Sequence, residues 1–375
     1  MIKVAIFTKS SIHSYSGTTR YIINLIKNLY GVNATVFYLA NKQDNNAPIS
    51  HIGSSETIAY NSYILPITKE LIPTMSYWKA LYKLKNFDVL YSVEPDILPV
   101  LLLLLVSKVY NKKLIICTSK TRKRPLRKSL LRYILIFPYS VLKDFTVSLV
   151  SNLHVFNQED FKYAKAKYRN SKIFYIPHFL VDKKRIKVNC SKTFIVLYVG
   201  RLDTNQKQIE LLAKIVKEVI AKNTDIKFHI VGDGEGKNIV VELEKENKKN
   251  VKYLGTINDI KLKHEYNIAN LFLFPSKWED FGISLLEAQS RGIPAIAFNV
   301  RGPREIIKTH TQGTLIKPFE YKRMENEIIN RYYSWKTNRK KYLEDKNKIS
   351  KIAFKKWGIE TIMPKLIDMF TSIVK

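Results

Sequence analysis

Short apolar runs of strand length alternate along this chain with amphipathic segments of helical length, and this alternation restricts the fold more than any other feature. The first group of strand-like runs comprises residues 4–8, 34–39, 89–93 and 114–117, and the second comprises residues 194–200, 227–232, 251–255, 271–274 and 294–298. Strands that alternate with helices form parallel sheets from βαβ units. The pattern therefore predicts an α/β chain rather than an all-α or all-β one.

The two groups of strands are separated by a polar, charged stretch, residues 181–192, near the midpoint of the chain. The 375 residues, of which 46% are hydrophobic, are enough for two packed cores. We expect one domain over residues 1–180, the linker 181–192, a second domain over residues 193–350 and a closing segment, 351–375. Two such domains would face each other across a cleft at the carboxyl ends of both sheets, where ligands usually bind.

The net charge of +31, from 63 Lys and Arg against 32 Asp and Glu, favours an anionic partner, either nucleic acid or a membrane surface. Basic residues concentrate between Lys120 and Arg132 and run directly into the apolar residues 133–137. Cations beside aliphatic and aromatic side chains are typical of an interfacial helix. We predict that Lys120 to Phe137 binds an anionic membrane surface, the alternative being a solvated basic helix face. We expect no nucleic-acid partner, because no basic and aromatic reading motif accompanies the charge.

Several other classes of protein are disfavoured. Two cysteines, Cys117 and Cys190, provide no disulfide framework and fit a reducing compartment. The first residues lack the apolar region and cleavage site of a signal peptide. The longest apolar run, residues 97–106, is about half the roughly 20 residues that cross a bilayer and predicts a buried helix. The seven histidines are scattered and there is no D-x-D pair, so we expect no metal site and a cytoplasmic protein.

Two carboxylates, Glu279 and Glu287, flank a glycine at the start of an apolar helix that follows the strand 271–274. Ligands of open α/β sheets bind in such positions, outside the carboxyl ends of the strands. Glu287 interrupts the apolar face of its helix, so its carboxylate needs a partner or a ligand to offset desolvation. A hydroxyl-rich substrate meets this need. The alternative is that Glu279 is a loop charge and Glu287 an exposed helix residue.

Two further loops have features of phosphate binding. After the first strand of the second group, Gly200 precedes Arg201 and Lys207, and these cations could stabilise a diphosphate leaving group without a metal. Surface charge is the alternative. In the first loop of the chain, Gly17 lies at a helix amino terminus, where free N–H groups favour an anion. The glycines at 232–236 have the wrong spacing for a dinucleotide fingerprint.

These residues resemble the retaining glycosyltransferases of family 4, which have the two-domain GT-B fold. The resemblance is carried by residues 199–202 with Lys207, 231–234, 253–255, 274–276, 279–287, 292–294 and 302–307, in the order and spacing of the family. Together these segments span most of the second half of the chain. The first half matches only in outline.

The resemblance implies a role for each of these residues. Arg201 and Lys207 bind the donor diphosphate, and Glu279 addresses the donor sugar, so these three are the expected catalytic residues. Glu287 binds the ribose hydroxyls. The remaining expected donor-binding residues are Gly17, Gly200, Tyr253, Leu254, Gly282, Ile283 and Ser284. Members of the family need no bound metal or other cofactor and transfer the sugar with retention.

Some positions depart from the family pattern. Gln208 follows Lys207 where a glycine is usual, and the first loop has one glycine rather than a pair. Residues 117–120 occupy the place where many relatives carry a histidine near the acceptor. The candidates for the acceptor side are His13, Glu94 and Ser119. His178 stands where an asparagine is frequent, and residues 351–375 resemble the final helix that packs back on the first domain.

The sequence therefore predicts a glycosyltransferase with an α/β, GT-B fold that uses a UDP- or GDP-type sugar. The expected acceptor is a hydroxyl of a lipid-linked glycan or of a cell-surface polysaccharide precursor, reached by a peripheral protein on the inner face of the cell membrane. A sugar-nucleotide epimerase of the same fold is the first alternative. A basic nucleic-acid-binding protein is the second.

Overall fold

The computed structural model describes residues 1–9, 11, 17–39, 51–52, 55–64, 71–94, 96–118, 130–182, 185, 188 and 191–374, without the side chains of 51–52, 63–64, 71, 73 and 130–137. The chain divides into two compact units. Unit 1 comprises Met1–His178 and Ile362–Lys375, and unit 2 comprises Phe179–Thr361.

The described residues of unit 1 form ten strands and five helices ahead of unit 2. In order these are β1 (Ile2–Thr8), α1 (Gly17–Asn28), β2 (Val32–Leu39), β3 (His51–Ile52), β4 (Ser55–Tyr60), β5 (Ser62–Ile64), β6 (Leu71–Pro73), α2 (Met75–Lys83), a 3-10 turn (Leu84–Asn86), β7 (Val89–Ser92), α3 (Ile97–Val109), β8 (Lys113–Cys117), α4 (Leu130–Ser148), β9 (Asn152–Val155), α5 (Gln158–Lys167) and β10 (Lys172–Tyr175).

The main sheet of unit 1 has the order β10-β9-β8-β7-β1-β2-β4-β3. Seven strands are parallel, and β3 pairs antiparallel with β4 at the edge. The central strands are buried along most of their length, since Val4, Ala5, Ile6 and Leu90 are wholly inaccessible. Such continuous apolar strands are typical of parallel sheets with helices on both faces.

Unit 2 contains six strands and seven further helices. In order these are β11 (Ile195–Val199), α6 (Ile209–Lys222), β12 (Lys227–Val231), α7 (Lys237–Glu246), β13 (Val251–Gly255), α8 (Asp259–Ile268), β14 (Leu271–Phe274), α9 (Ile283–Ser290), β15 (Ala295–Phe298), α10 (Arg301–Ile306), β16 (Gly313–Ile316), α11 (Tyr321–Thr337) and α12 (Arg339–Trp357). Helix α13 (Ile359–Thr371) begins in unit 2 and ends in unit 1.

The sheet of unit 2 is parallel throughout, in the order β13-β12-β11-β14-β15-β16. The chain winds outward from β11 through β12 to β13, and then returns to place β14 on the other side of β11. The strand order therefore reverses between β11 and β14. In α/β folds, ligands bind outside the carboxyl ends of the strands at such a reversal.

The predicted α/β class is confirmed, and each predicted strand is present as β1, β2, β7, β8 or one of β11 to β15. The prediction of a buried helix over residues 97–106 was wrong in part. In α3, Val100 and Leu103 are buried, but Leu101 and Leu105 are 38% and 57% exposed. A helix lying on one face of a sheet buries only one stripe of its surface. Among the described residues, no helix combines the length and apolar character needed to span a bilayer.

Candidate active site

The loops after β11 and β14 meet at the point where the strand order of unit 2 reverses. Residues 200–208 form the first loop and residues 275–282 form the second. The backbone of Lys277 in the second loop donates to the carbonyl of Gln206 in the first, at 2.8 Å. The two segments that the sequence analysis selected for separate reasons are therefore hydrogen-bonded to each other.

Lys207 and Glu279 form an ion pair between the two loops, through Nζ and Oε1. Their side chains are only 12% and 11% exposed. Lys207 Nζ also lies 4.9 Å from the ring centroid of the buried Phe274, a favourable position for a cation. A largely buried charge needs such partners, because removing one of them leaves the other desolvated and unpaired. The pair places one cation and one carboxylate together at the predicted site.

Arg201 remains accessible beside this pair, with 62% of its side chain exposed. Its Nη2 donates to Gln206 Oε1 at 3.1 Å, and Nη1 lies 3.6 Å from Asp203 Oδ2. The carbonyl of Arg201 accepts a hydrogen bond of 2.8 Å from the buried hydroxyl of Tyr198. Burial raises the pKa of this phenol well above its usual value, so it remains a donor at neutral pH. The backbone at Arg201 is thus fixed while its guanidinium faces solvent.

The amino terminus of α9 provides the third feature of the site. Gly282 precedes the helix with φ +97°, a conformation that residues with a Cβ rarely adopt. The first amides of α9, at Ile283 and Ser284, have no partner within the helix. The turn before them is held by α10, where Gly302 donates to the carbonyl of Glu279 at 3.1 Å. An anion near the sheet edge can therefore accept from α9 while Arg201 and Lys207 supply positive charge.

Glu287 lies in the second turn of α9 and is partly buried. The hydroxyl of Tyr266, from α8, is 3.0 Å from Glu287 Oε2 and 3.1 Å from the carbonyl of Ser284. A phenol has one hydrogen, so it donates to one of these acceptors at a time. Tyr266 itself is 3% exposed. The predicted need of Glu287 for a partner is met in part by this tyrosine, which holds the carboxylate in one orientation.

The ends of β11, β12 and β13 approach closely at the other side of the site. Gly232 has φ +135°, and a Cβ placed on it would lie 1.8 Å from the carbonyl oxygen of Gly200. The hydroxyl of Tyr253 donates to the carbonyl of Gly232 at 3.1 Å. Tyr253 and Leu254 are both half-buried at the end of β13. The predicted donor-binding residues Gly200, Tyr253 and Leu254 thus lie at neighbouring strand ends.

In unit 1, the structure describes two of the predicted residues. Gly17 is the first, exposed residue of α1. Glu94 follows β7, and its Oε2 accepts from Thr8 Oγ1 at 3.0 Å and from the amide of Lys9 at 2.6 Å. Glu94 therefore connects the ends of β1 and β7. His13, Ser119 and residues 120–129 lie outside the described residues, and of residues 130–137 only the helical backbone is described.

A second polar cluster lies inside unit 1 and is formed by side chains of β7, β8 and β9 with Tyr21 of α1. The hydroxyl of Tyr91 is 2.8 Å from His154 Nδ1, 2.9 Å from Cys117 Sγ and 3.3 Å from the hydroxyl of Tyr21. His154 Nε2 is 2.8 Å from the carbonyl of Ile176. Burial lowers the pKa of His154 to about 4, so its ring is neutral at pH 7. A neutral ring donates through Nε2 and accepts at Nδ1, which satisfies both of its contacts.

The structure brings together Arg201, Lys207 and Glu279, and it shows two contacts that the sequence analysis missed. Gln206 bonds to both loops, and Tyr266 bonds to Glu287. The position of Gln206 between the two cations was visible in the sequence. No sequence signal pointed to Tyr266, because it lies on a different helix. Among the described residues, no three His, Cys, Asp or Glu side chains are grouped as metal ligands.

The chain has two α/β units, each built on a mainly parallel sheet. In unit 2, cations, carboxylates and a helix amino terminus lie where the strand order reverses. These features define the GT-B class of folds. Residues 181–349 match the family model described as Glycosyl transferases group 1, so this part of the chain is a domain of that family. The match coincides with nearly all of unit 2 and includes every site residue named there.

Solved structures and curated relatives extend this result. The sucrose-phosphate synthase of Thermosynechococcus elongatus is 17% identical and covers 100% of this chain and 99% of its own, with a TM-score of 0.73. Anabaena HepE, solved in complex with UDP, is 16% identical and covers 99% of this chain and 100% of its own, with a TM-score of 0.71. These likenesses confirm the GT-B fold over the whole chain.

Curated relatives match a part of the chain. The UDP-Gal:alpha-D-GlcNAc-diphosphoundecaprenol alpha-1,3-galactosyltransferase of Escherichia coli is 35% identical over 130 residues, 33% of this chain and 33% of that enzyme. The chain spans about a third of the length of three curated relatives that it matches at 34–35% identity: 32%, 32% and 33% of their lengths.

Proposed function

We propose that the protein is a retaining glycosyltransferase that uses a UDP-sugar as donor. The observation that carries the proposal is the group formed by Lys207, Glu279 and Arg201 beside the free amides of α9. Two cations and a helix amino terminus suit a diphosphate, and carboxylates suit sugar and ribose hydroxyls. The likeness to a fold solved with UDP favours uridine over guanosine as the donor base.

In this proposal the bond between the anomeric carbon and the diphosphate oxygen breaks, and the acceptor oxygen bonds to the same face of the sugar. The acceptor proton passes to the departing phosphate oxygen. Arg201, Lys207 and the amides of Ile283 and Ser284 stabilise the negative charge that develops on the diphosphate. Glu279 binds the donor sugar, and Glu287 binds the ribose hydroxyls. Gly200, Tyr253 and Leu254 line the nucleotide, and Gly17 allows close approach of the backbone to the donor.

The donor site is tested with the variants Lys207→Ala and Glu279→Ala. Each removes one member of a largely buried ion pair, so we expect kcat/KM for UDP-sugar turnover to fall by at least about a hundredfold. The matched control is Lys217→Ala, which removes a lysine from an exposed pair with Glu246 in the same unit. Turnover at the wild-type rate in both site variants would contradict the proposal. Circular dichroism checks that each variant is folded.

The proposed acceptor is a hydroxyl of a lipid-linked glycan or cell-surface polysaccharide precursor. The named acceptor of the Escherichia coli relative, a diphosphoundecaprenol-linked sugar, supports this choice. Glu94 is the described candidate on the acceptor side, and His13 and Ser119 are proposed with it. The test is UDP release from UDP-sugars with and without such an acceptor. Turnover that requires the acceptor supports transfer, whereas equal turnover without it indicates an epimerase or hydrolase.

We also propose that the protein associates with the inner face of the cell membrane through Lys120 to Phe137. The described part of α4 continues this segment with the exposed apolar side chains of Val141, Leu142 and Phe145, and Leu149, the residue after the helix, is also exposed. Helix α3, which packs against α4, exposes Leu101, Leu105 and Val109. Basic and apolar groups side by side favour the surface of an anionic bilayer.

Vesicle sedimentation tests this surface. The double variant Arg124→Glu/Lys128→Glu is expected to lower binding to vesicles containing anionic lipid by at least about tenfold, since each cation contributes about 1 kcal/mol. Phe145→Ser should also weaken binding, whereas Ile260→Ser, at an exposed isoleucine in unit 2, should not. Unchanged sedimentation of both the double variant and Phe145→Ser would exclude this surface.

A further inference from the structure

Gln206 lies in the loop between the two cations of the candidate site and contacts both sides of it. Its Oε1 accepts from Arg201 Nη2 at 3.1 Å. Its Nε2 donates to the carbonyl of Trp278 at 3.1 Å and lies 3.4 Å from Glu279 Oε1. One amide group thus connects the more exposed cation of the first loop to the carboxylate of the second.

The backbone of Gln206 is held without its side chain. Its amide donates to Asp203 Oδ1 at 2.5 Å, and its carbonyl accepts from Lys277 N at 2.8 Å. The path of the loop and the contact between the two loops are therefore supported by hydrogen bonds that a substitution at position 206 leaves in place. The side-chain amide has a role that is separable from the folding of the loop.

The polarity of the amide matches its two neighbours. A carboxamide has one acceptor oxygen and one donor nitrogen. Here the oxygen faces a guanidinium, which only donates, and the nitrogen faces a carbonyl and a carboxylate, which only accept. A glutamate would lose the donors and place a second negative charge beside Glu279. An apolar side chain would satisfy neither neighbour.

The two neighbours also differ in how much they are otherwise fixed. Glu279 is held by Lys207 in a largely buried pair, whereas among the described residues the second partner of the Arg201 guanidinium is Asp203, at 3.6 Å. A long, exposed side chain loses conformational freedom when it binds a ligand. An acceptor that holds it beforehand lowers this cost and aligns the cation with the carboxylate.

We propose that Gln206 is a positioning residue that aligns Arg201 with Glu279 on the donor. This inference rests on the proposed function, since it assigns Arg201 to the diphosphate and Glu279 to the donor sugar. Gln206 acts through these two residues and transfers no proton or group itself.

The first test uses Gln206→Met, which keeps the length of the side chain and removes both hydrogen-bonding groups. We expect the Kd for UDP, measured by calorimetry, to rise about three- to tenfold, as for one hydrogen bond to a charged group. The kcat should fall further, by about tenfold or more, because the alignment of Arg201 with Glu279 is lost as well. The matched control is Asn205→Ala, which removes an exposed amide side chain from the adjacent position and should leave both values within about twofold.

The second test uses Gln206→Glu and the pH dependence of kcat/KM. A carboxylate in place of the amide adds a second negative charge beside Glu279, and like charges disfavour ionisation. We expect the acid limb of the kcat/KM profile to move to higher pH. A merely structural effect on the loop would lower the rate without moving this limb.

The outcomes separate the inference from the proposed function. A wild-type protein that neither binds UDP nor turns over any UDP-sugar overturns both. A functional wild-type protein with an unaffected Gln206→Met variant overturns only the role of Gln206. The role of Gln206 is also overturned if Asn205→Ala loses as much UDP affinity and kcat as Gln206→Met. It is overturned as well if the pH profile of kcat/KM of Gln206→Glu coincides with that of the wild type.

Discussion

At the scale of single residues, the candidate site depends on polar side chains held by partners from other elements. Glu287 is the clearest case. Its carboxylate is partly buried on α9, and the hydroxyl of Tyr266 reaches it from α8. The tyrosine is 3% exposed, so its ring is enclosed by the protein. The ribose-binding role proposed for Glu287 therefore depends on an orientation of its carboxylate that Tyr266, on another helix, maintains.

This dependence predicts that Tyr266→Phe weakens UDP binding. The substitution keeps the packing of the ring and removes one hydrogen bond to a charged group, so the Kd should rise about three- to tenfold. Calorimetry with UDP is the measurement. Tyr333→Phe, at an exposed tyrosine of the same unit, is the control. An unchanged Kd in Tyr266→Phe would show that the carboxylate is oriented without the phenol.

At the scale of elements, the site forms because strand ends approach each other more closely than side chains allow. Gly232, the residue after β12, packs its α-carbon against the carbonyl of Gly200, the residue after β11. Gly302 is packed in the same way, since a Cβ there would lie 2.3 Å from the carbonyl oxygen of Phe281. These two contacts fix the β11 loop and the start of α9. The glycines therefore set the geometry of the site through the close packing of its backbone segments.

The packing at β12 predicts a severe effect of Gly232→Ala. The added methyl group meets a backbone oxygen in a conformation with φ +135°, so both the conformation and the contact are unfavourable. We expect the free energy of unfolding to fall by more than about 3 kcal/mol. Gly255→Ala is the matched control at the end of β13, with φ +60° and only Tyr253 Oη near, at 4.0 Å. Equal losses in the two variants, measured by urea denaturation, would contradict the role of close packing.

At the scale of the whole molecule, stability depends on polar groups buried away from the candidate site. His154, at the centre of unit 1, is fully buried and joins β7 to the residue after β10. Burial holds its pKa at about 4, below the usual 6.5. The unfolded chain therefore binds a proton at this histidine more readily than the folded chain does. Its contribution to stability is complete above about pH 6.5 and is lost as the pH falls towards 4.

Between about pH 6.5 and pH 4, we predict that protonation of His154 lowers the free energy of unfolding by about 1.4 kcal/mol for each pH unit of acidification. Urea denaturation at pH 7.5, 6.5, 5.5 and 4.5 measures it. His154→Gln should have a lower free energy of unfolding than the wild type at pH 7.5. This free energy should fall less on acidification than that of the wild type. His310→Gln, at a histidine whose side chain is 81% exposed, should follow the wild type. Parallel pH profiles for His154→Gln and the wild type would refute the assignment.

Strands with a continuous apolar run were predictable from the sequence, whereas the edge strands β10 and β16 were not. β11 and β14 are wholly buried and carry the pattern of a central parallel strand. β16 has four residues and β10 is only partly buried, and both lie at sheet edges. An edge strand has one paired side and less need for apolar residues, so its local signal is weak. Its pairing depends on the strand that it meets.

The sequence by itself determined the fold class and the chemical character of the site. Apolar periodicity and the order of glycines, cations and carboxylates are local features that can be recognised without a structure. The sequence did not determine which of these groups pair. Lys207 and Glu279 are 72 residues apart, and they meet because the order of strands places β14 beside β11. The same arrangement puts the side chain of Gln206 between two loops. Strand order depends on packing between residues that are distant in sequence, so only the tertiary structure shows which strands are neighbours.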